Sequence, residues 1–281
     1  MSKILVTAAT GQLGGLIIQE LLKLTDAGNV VGMARTPEKA KGLGIEIRQG
    51  DYSSPDLLEA ACSGIDTVML ISGTDIGPRV QQHKNVVDAA KAAGVKRIAY
   101  TSVVIAQKRP EPIYHDHGET EDYIKASGMN YTFLRNNFYM NAYVEEIKIA
   151  IEKGVYRGAI GETGAALVAR ADLARAAAAA LADEQHANKT YHLSGPAVVD
   201  GSEYARIASA ISGKEISYQP ISIDELKADY LARGYDANMM PFLLLLEETI
   251  ASGDLVEVSP DIENLTGQKP QSFEEHARAV L

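Results

Sequence analysis

The chain has 281 residues, 46% of them hydrophobic and 23% charged, enough to bury a large core in one or two domains. Its formal net charge of -10 opposes a polyanionic partner, which sets aside nucleic acid and anionic membrane surfaces. Cys62 is the only cysteine, which excludes an internal disulfide and a cysteine metal cluster.

In chain order, Ile4 to Val6 predict a buried strand, with no signal-peptide layout ahead of it. Leu13, Ile17, Leu21 and Leu24 then repeat at helical spacing. Val30 to Ala34 predict a second strand, and Thr36-Pro37-Glu38 a short helix with Thr36 as N-cap. Ile45 to Arg48 predict a third strand. Leu57 to Ser63 read as a helix end, a poor place for Cys62 to act as a nucleophile. Strands follow at Asp66 to Ser72, Arg97 to Ser102 and Tyr131 to Arg135, with a helix from Val80 to Ala93 that stops at Gly94.

This alternation predicts an α/β fold, a Rossmann-type doubly wound parallel sheet, over residues 1–153. Residues 154–281 predict a mixed region. Asp172 is expected to cap an alanine-rich helix to Leu181, and Thr190 to Leu193 to form a strand, so that about residues 172–193 return to the sheet. From Ser202 onward the pattern is mostly helical and is expected to form the smaller, substrate-binding side. The apolar run Met239 to Leu246 contains Pro241 and is too short to span a bilayer. Plain core, a lid over an apolar acceptor and the face of a homodimer are its three readings. The expectation is a cytoplasmic protein.

The strongest chemical signal is Val6-Thr7-Ala8-Ala9-Thr10-Gly11-Gln12-Leu13-Gly14, between the first strand and the first helix. Gly11 lets backbone approach a pyrophosphate, Gly14 lets the helix pack closely on the sheet, and the helix start offers N–H groups to phosphate oxygens. That pattern predicts a dinucleotide site. The second strand ends at Arg35, 21 residues beyond Gly14, where an acidic residue would select NAD. A guanidinium there suits a 2′-phosphate, so NADPH is the expected cofactor and NADH the weaker alternative.

Several segments together resemble the NmrA-like atypical short-chain dehydrogenases. They are the glycine run, Gly50-Asp51-Tyr52, Gln82-His83-Lys84-Asn85-Val86-Val87, Ala99-Tyr100-Thr101-Ser102, Leu134-Arg135-Asn136-Asn137-Phe138-Tyr139, Arg170-Ala171-Asp172 and Leu265-Thr266-Gly267. Within that family the chain is most similar to bacterial NAD(P)H:quinone oxidoreductases and triphenylmethane dye reductases. The resemblance implies that Thr7, Gly11, Gln12 and Leu13, with Ala9 and Thr10 in the same turn, hold the pyrophosphate. It implies Arg35 at the 2′-phosphate, Asp51 and Tyr52 beside the adenine, and Ser72 and Gly73 on the nicotinamide side, with Thr101 and Ser102 beneath. Asn137, Phe138 and Tyr139 would face substrate. The family usually has glycine where this chain has Ala8, which bears on cofactor affinity.

Ordinary short-chain dehydrogenases use Tyr-x-x-x-Lys as the acid. By the family match, His117 takes the tyrosine position here and Glu121 the lysine position. A ketone reduced without an acid leaves an alkoxide as basic as hydroxide, whose parent acid has a pKa near 15.7. A quinone leaves a phenolate-like anion with a conjugate pKa of about 10, which water protonates. A cationic dye simply becomes neutral. The expected partner is therefore a small conjugated acceptor that receives hydride directly, with His117 and Tyr139 as candidate catalytic groups. The alternative is a non-catalytic NAD(P)-binding redox sensor of the NmrA type. His115 and His117 lack the i, i+4 spacing of a helical metal site, so no metal is expected.

Overall fold

The computed structural model describes residues 2–281. The chain forms two compact units: Met1–Asn136 with Ala171–Leu193 and Asp261–Gln268, and Asn137–Arg170 with Ser194–Pro260 and Lys269–Leu281. The chain passes from one to the other immediately after the strand that ends at Asn136.

The first unit is a doubly wound α/β layer. Its strands are Ile4–Val6 (β1), Val30–Ala34 (β2), Glu46–Gln49 (β3), Thr67–Leu70 (β4), Arg97–Val103 (β5) and Asn130–Asn136 (β6). With Lys189–Leu193 they make one parallel sheet in the order β3-β2-β1-β4-β5-β6, then Lys189–Leu193 beyond β6. β1, β2, β4 and β5 are buried at every position, which is why they read as unbroken apolar runs. The helices Gln12–Leu21 (α1), Pro55–Cys62 (α2), Arg79–Ala92 (α3) and Pro112–Ala126 (α4) connect them. One core joins Leu58 and Cys62 of α2, Val86, Val87 and Ala90 of α3, and Tyr100 and Phe133 of the sheet. Burial pushes the Cys62 thiol up to about 11, so it behaves as core.

Two local readings change. Pro37–Leu43 is 3-10 helix, and Thr36 makes no side-chain cap. The alanine-rich helix runs Arg170–Ala182, so Asp172 lies inside its first turn and pairs with Arg175 instead of capping it. Arg97 closes the other end of that helix, donating to the carbonyls of Ala180, Leu181 and Asp183.

The second unit contains five helices of eight or more residues: Val144–Lys153, Gly201–Ser212, Ile223–Ala232, Met240–Ala251 and Phe273–Val280. It also holds a two-stranded parallel sheet, Val155–Gly158 with Ser217–Pro220, whose second strand falls in the stretch expected to be mostly helical. Tyr156 stacks on Tyr204 at 4.8 Å, and Phe273 meets Tyr204 edge-on. The run Met239 to Leu246 starts the helix Met240–Ala251, with Pro241 in the first turn, where its missing N–H costs nothing. Met240 is buried, Leu243 and Leu244 only partly so. Among the described residues no helix is long and apolar enough to cross a membrane.

The site depends on how closely α1 meets β1. A Cβ on Gly14 would lie 2.3 Å from the Ala8 carbonyl oxygen and 2.9 Å from its carbon. Backbone atoms cannot swing aside as a side chain does. Gly14→Ala is therefore expected to destabilise the fold by about 1–3 kcal/mol or more, the cost of overpacking a rigid contact. Urea denaturation reads it; an unchanged midpoint would mean the contact is not tight.

Candidate active site

The turn after β1 is set by backbone. Ala8 adopts φ 48°, a left-handed conformation that favours glycine, and its carbonyl accepts the Gly11 N–H at 2.8 Å. Gly11 is the N-cap of α1 and no side chain caps the helix. Helix geometry leaves the N–H groups of Gln12, Leu13 and Gly14 without intrahelical partners, facing the carboxyl edge of the sheet.

A closed ring of hydrogen bonds ties that turn to the two neighbouring loops. The Ile71 N–H donates to Thr7 Oγ1 at 2.9 Å, and Tyr52 Oη donates to the Ile71 carbonyl at 2.8 Å. Thr7 Oγ1 therefore donates its own proton to Tyr52 Oη, the remaining bond of the ring. Around this ring opens a cleft of about 420 Å³, within the usual size for a small-molecule site.

Thr10, Gly11, Arg35, Asp51, Tyr52, Ser72 and Gly73 all line the cleft, as does Ala8. Arg35 is exposed at the end of β2, and its guanidinium has no hydrogen bond or ion pair among the described residues. Behind it, a Cβ on Gly50 would sit 2.3 Å from Met33 Sδ and would make that side chain move. Gln12 is exposed at the helix start.

The other candidates stand behind the wall. Thr7 is fully buried in the ring. Ala9 packs against β2 and donates its N–H to the Met33 carbonyl. Leu13 turns into the core. Thr101 Oγ1 accepts the Ser72 N–H at 2.8 Å, and Ser102 Oγ donates to Glu121 at 2.7 Å. These side chains shape the cleft without lining it.

His117 has both ring nitrogens engaged, Nδ1 with Tyr100 Oη at 2.8 Å and Nε2 with Arg79 Nη1 at 3.3 Å. Burial first, then the Arg79 and His83 charges, push its pKa down to about 3, so it is neutral. It is not among the residues that line the cleft. Glu121 is completely buried and receives Arg135 in a bidentate pair, at 2.9 and 2.6 Å. At the position that the family match gives to lysine, the chain thus holds a carboxylate locked to a guanidinium. Asn137 is also engaged, donating to the Leu255 carbonyl and accepting the Phe138 N–H. Phe138 and Tyr139 are half-buried in the second unit, with the Arg170 guanidinium 5.2 Å from the Tyr139 ring. Among the described residues no group of three or more His, Cys, Asp or Glu can hold a metal ion.

Sequence reasoning gave no role to His83, which accepts the Gly73 N–H at 3.0 Å and holds the cleft's far wall. Its position on a helix face shared with Val86, Val87 and Ala90 reads as core.

A bare helix start, two glycines that admit a ligand's approach and a free guanidinium fit a phosphorylated dinucleotide. The NAD(P)H-binding family profile matches residues 8–215. The chain belongs to the NAD(P)H-binding family. It is 36% identical over 275 residues to quinone oxidoreductase 2 of Escherichia coli (strain K12), covering 97% of this chain and 96% of that one. An NADPH-dependent quinone oxidoreductase of Escherichia coli complexed with NADPH superposes with a TM-score of 0.93, at 36% identity over 99% of both chains. The triphenylmethane reductase of Citrobacter sp. complexed with NADP(H) gives 0.94, at 36% identity over 99% of this chain and 100% of that one.

Ala8→Gly is expected to stabilise the turn. Relief of a left-handed alanine is worth about 1–2 kcal/mol, against about 0.5–1 kcal/mol for glycine's extra unfolded-state freedom. The net gain of about 0.5–1 kcal/mol should raise Tm by a few degrees at most. Cofactor affinity should hold or rise. A loss of stability would show that the methyl is better accommodated than its φ implies.

Proposed function

We propose that this protein is an NADPH-dependent reductase that passes hydride directly to a quinone-like or other conjugated, electrophilic acceptor. The carrying observation is the pair of features on one unit: a free guanidinium at the rim of a glycine-turn cleft, and a short-chain dehydrogenase acid site with no acid in it. Names of the similar proteins, a quinone oxidoreductase and a triphenylmethane reductase, agree with this reading.

When bound, NADPH supplies the hydride. The chain's residues do the rest. The α1 start and Gly11 take the pyrophosphate, Arg35 the 2′-phosphate, and Asp51 with Tyr52 the adenine side. Ser72 and Gly73 form the wall at the nicotinamide end, held by Thr101 and His83. Asn137, Phe138 and Tyr139 are the residues assigned to the acceptor, and the two rings suit a flat conjugated molecule. No residue needs to transfer a proton during hydride addition, because the product anion is weak enough for water to protonate. Most acceleration then comes from positioning. The reading includes a cytoplasmic location and a homodimer, checked by fractionation and by molar mass in solution.

A panel of quinones and cationic dyes, followed at the NADPH absorbance, is the direct test. Steady consumption with benzoquinone supports the reading; no reduction of any acceptor favours a non-catalytic sensor. Arg35→Ala should weaken NADPH by about 1.5–3 kcal/mol, the worth of a hydrogen bond to a charged group, and leave NADH nearly unchanged. Equal losses for both cofactors would remove Arg35 from the 2′-phosphate.

The pH profile provides a further check. A histidine acting as general acid would give a limb near its ordinary pKa of about 6.5. His83 and His117 are both held neutral down to about 3, so kcat with benzoquinone should stay flat from pH 5 to 8. A limb near 6.5 that disappears in His117→Gln would show that this histidine titrates in turnover.

A further inference from the structure

The second unit carries a cavity of its own. It encloses about 440 Å³, within the usual size for a small-molecule site, and shares no residue with the cleft described above. The helix Val144–Lys153 lines it with Glu146, Ile149 and Lys153, which fall on one face at helical spacing. The helix Ile223–Ala232 lines it with Leu226, Asp229 and, just past its end, Arg233, at the same spacing. The strand Val155–Gly158 adds Arg157.

Five charged side chains line this cavity, and they are unequally engaged. Both oxygens of Glu146 accept from a single nitrogen of Arg233, Nη1, at 3.0 and 3.2 Å. Both oxygens of Asp229 lie at 2.9 and 2.8 Å from Nη1 of Arg157. Each carboxylate is thus neutralised by a guanidinium that has used one nitrogen of three. In both arginines Nε is buried without a hydrogen-bond partner, and Nη2 is neither bonded among the described residues nor buried. Lys153, exposed at the end of its helix, makes no hydrogen bond or ion pair among the described residues. Glu225, whose charge reaches Arg157, is turned to the Ser222 N–H and hydroxyl, each at 2.8 Å. Acceptors are therefore spent and donors are left over. Lys153, Arg157 and Arg233 against Glu146 and Asp229 leave one positive charge, on a chain whose net charge is -10.

We propose that this cavity is a second binding site, for a small organic anion that joins a carboxylate to an apolar body. A carboxylate only accepts hydrogen bonds, and its two oxygens match the fork of a guanidinium. Asp229 and Arg233 are four residues apart, so Arg157, held at Asp229, and Arg233 present their spare nitrogens one helical turn apart. The Tyr230 and Tyr235 rings, 4.7 and 5.3 Å from the Arg233 guanidinium, hold it in place before a ligand arrives. Ile149 and Leu226 give the ligand's body an apolar wall. A cationic ligand would meet carboxylates already paired and three cations that repel it. None of these residues enters the hydride-transfer reading, so the two stand or fall separately.

The probe is 4-fluorobenzoate, followed by fluorine-19 NMR on the full chain saturated with NADP+, which keeps the probe out of the cleft. Saturable binding is expected with a Kd below about 1 mM, within reach of a few charged hydrogen bonds on so small a molecule. The uncharged 4-fluorobenzamide, of the same shape, should bind at least about 10-fold more weakly, the scale of one charged hydrogen bond. Arg157→Gln should weaken the benzoate about 10-fold. Lys153→Met, at an exposed position, should weaken it about 3-fold. Ile149→Trp fills the cavity without changing its charge and should abolish binding. The Lys153 and Ile149 variants decide the matter if Arg157→Gln fails to fold. No saturable binding, an amide that binds as tightly as the acid, or a Kd unchanged in Lys153→Met and Ile149→Trp overturns the proposal. Displacement of the probe by an equal concentration of inorganic phosphate also overturns it, because phosphate has no apolar body.

Discussion

One carbonyl organises the site. The Ala8 oxygen accepts the Gly11 N–H and occupies the space into which side chains at Gly11 and Gly14 would project, at 3.1 and 2.3 Å. Only with bare backbone at both positions can α1 begin this close to the end of β1. That closeness brings a helix start, with its unpaired N–H groups, to the carboxyl edge of the sheet where strands β1 and β4 diverge in their connections. The Thr7–Tyr52–Ile71 ring then fixes the loops after β3 and β4 to the same turn. Phosphate recognition on this frame is a property of backbone, and it needs no cation of its own at the pyrophosphate.

The side chains near the floor follow a different logic. Buried polar groups must be paired, and here each pairing removes a group from acid–base work. Glu121 is held by Arg135 and Ser102, His117 by Arg79 and Tyr100, and His83 by Gly73 and Thr120. Both histidines are depressed by burial, which keeps them neutral hydrogen-bond links rather than proton carriers. A site wired this way cannot give a ketone the acid it needs. It is adequate for an acceptor whose reduced form is stable as an anion or as a neutral molecule.

Much of this was legible in the sequence, for reasons tied to particular residues. Strands buried on both faces show as apolar runs, so β1, β2, β4 and β5 could be placed almost to the residue. Gly11, Gly14 and Arg35 carried their chemistry in their types and spacing. The strand Ser217–Pro220 did not show, because Ser-Tyr-Gln-Pro has neither apolar alternation nor a ladder donor at its end. Periodicity also says which face a residue occupies but not what it touches. Thr7, Thr101 and Ser102 lie at the correct edge, yet their hydroxyls are engaged by Tyr52, Ser72 and Glu121. The two partners of His117, Tyr100 and Arg79, are 17 and 38 residues away in the chain, so its pairing does not show in the sequence. Tyr100 itself reads as one more core aromatic in a buried strand.

Two arginines of the first unit, Arg35 and Arg79, sit in opposite surroundings. Arg35 is exposed at the rim, and any bond it makes to a 2′-phosphate is the same before, during and after hydride transfer. Such uniform binding selects the cofactor and does nothing for the chemical step. Arg79 is buried behind the floor, where it pairs with Asp116 at 3.5 Å and donates to the Ile113 carbonyl and to His117 Nε2. A guanidinium can only donate, so this contact fixes the neutral imidazole of His117 with its proton on Nδ1, toward Tyr100. The exposed guanidinium is free to meet a ligand, and the buried one is spent on holding the fold behind the cleft.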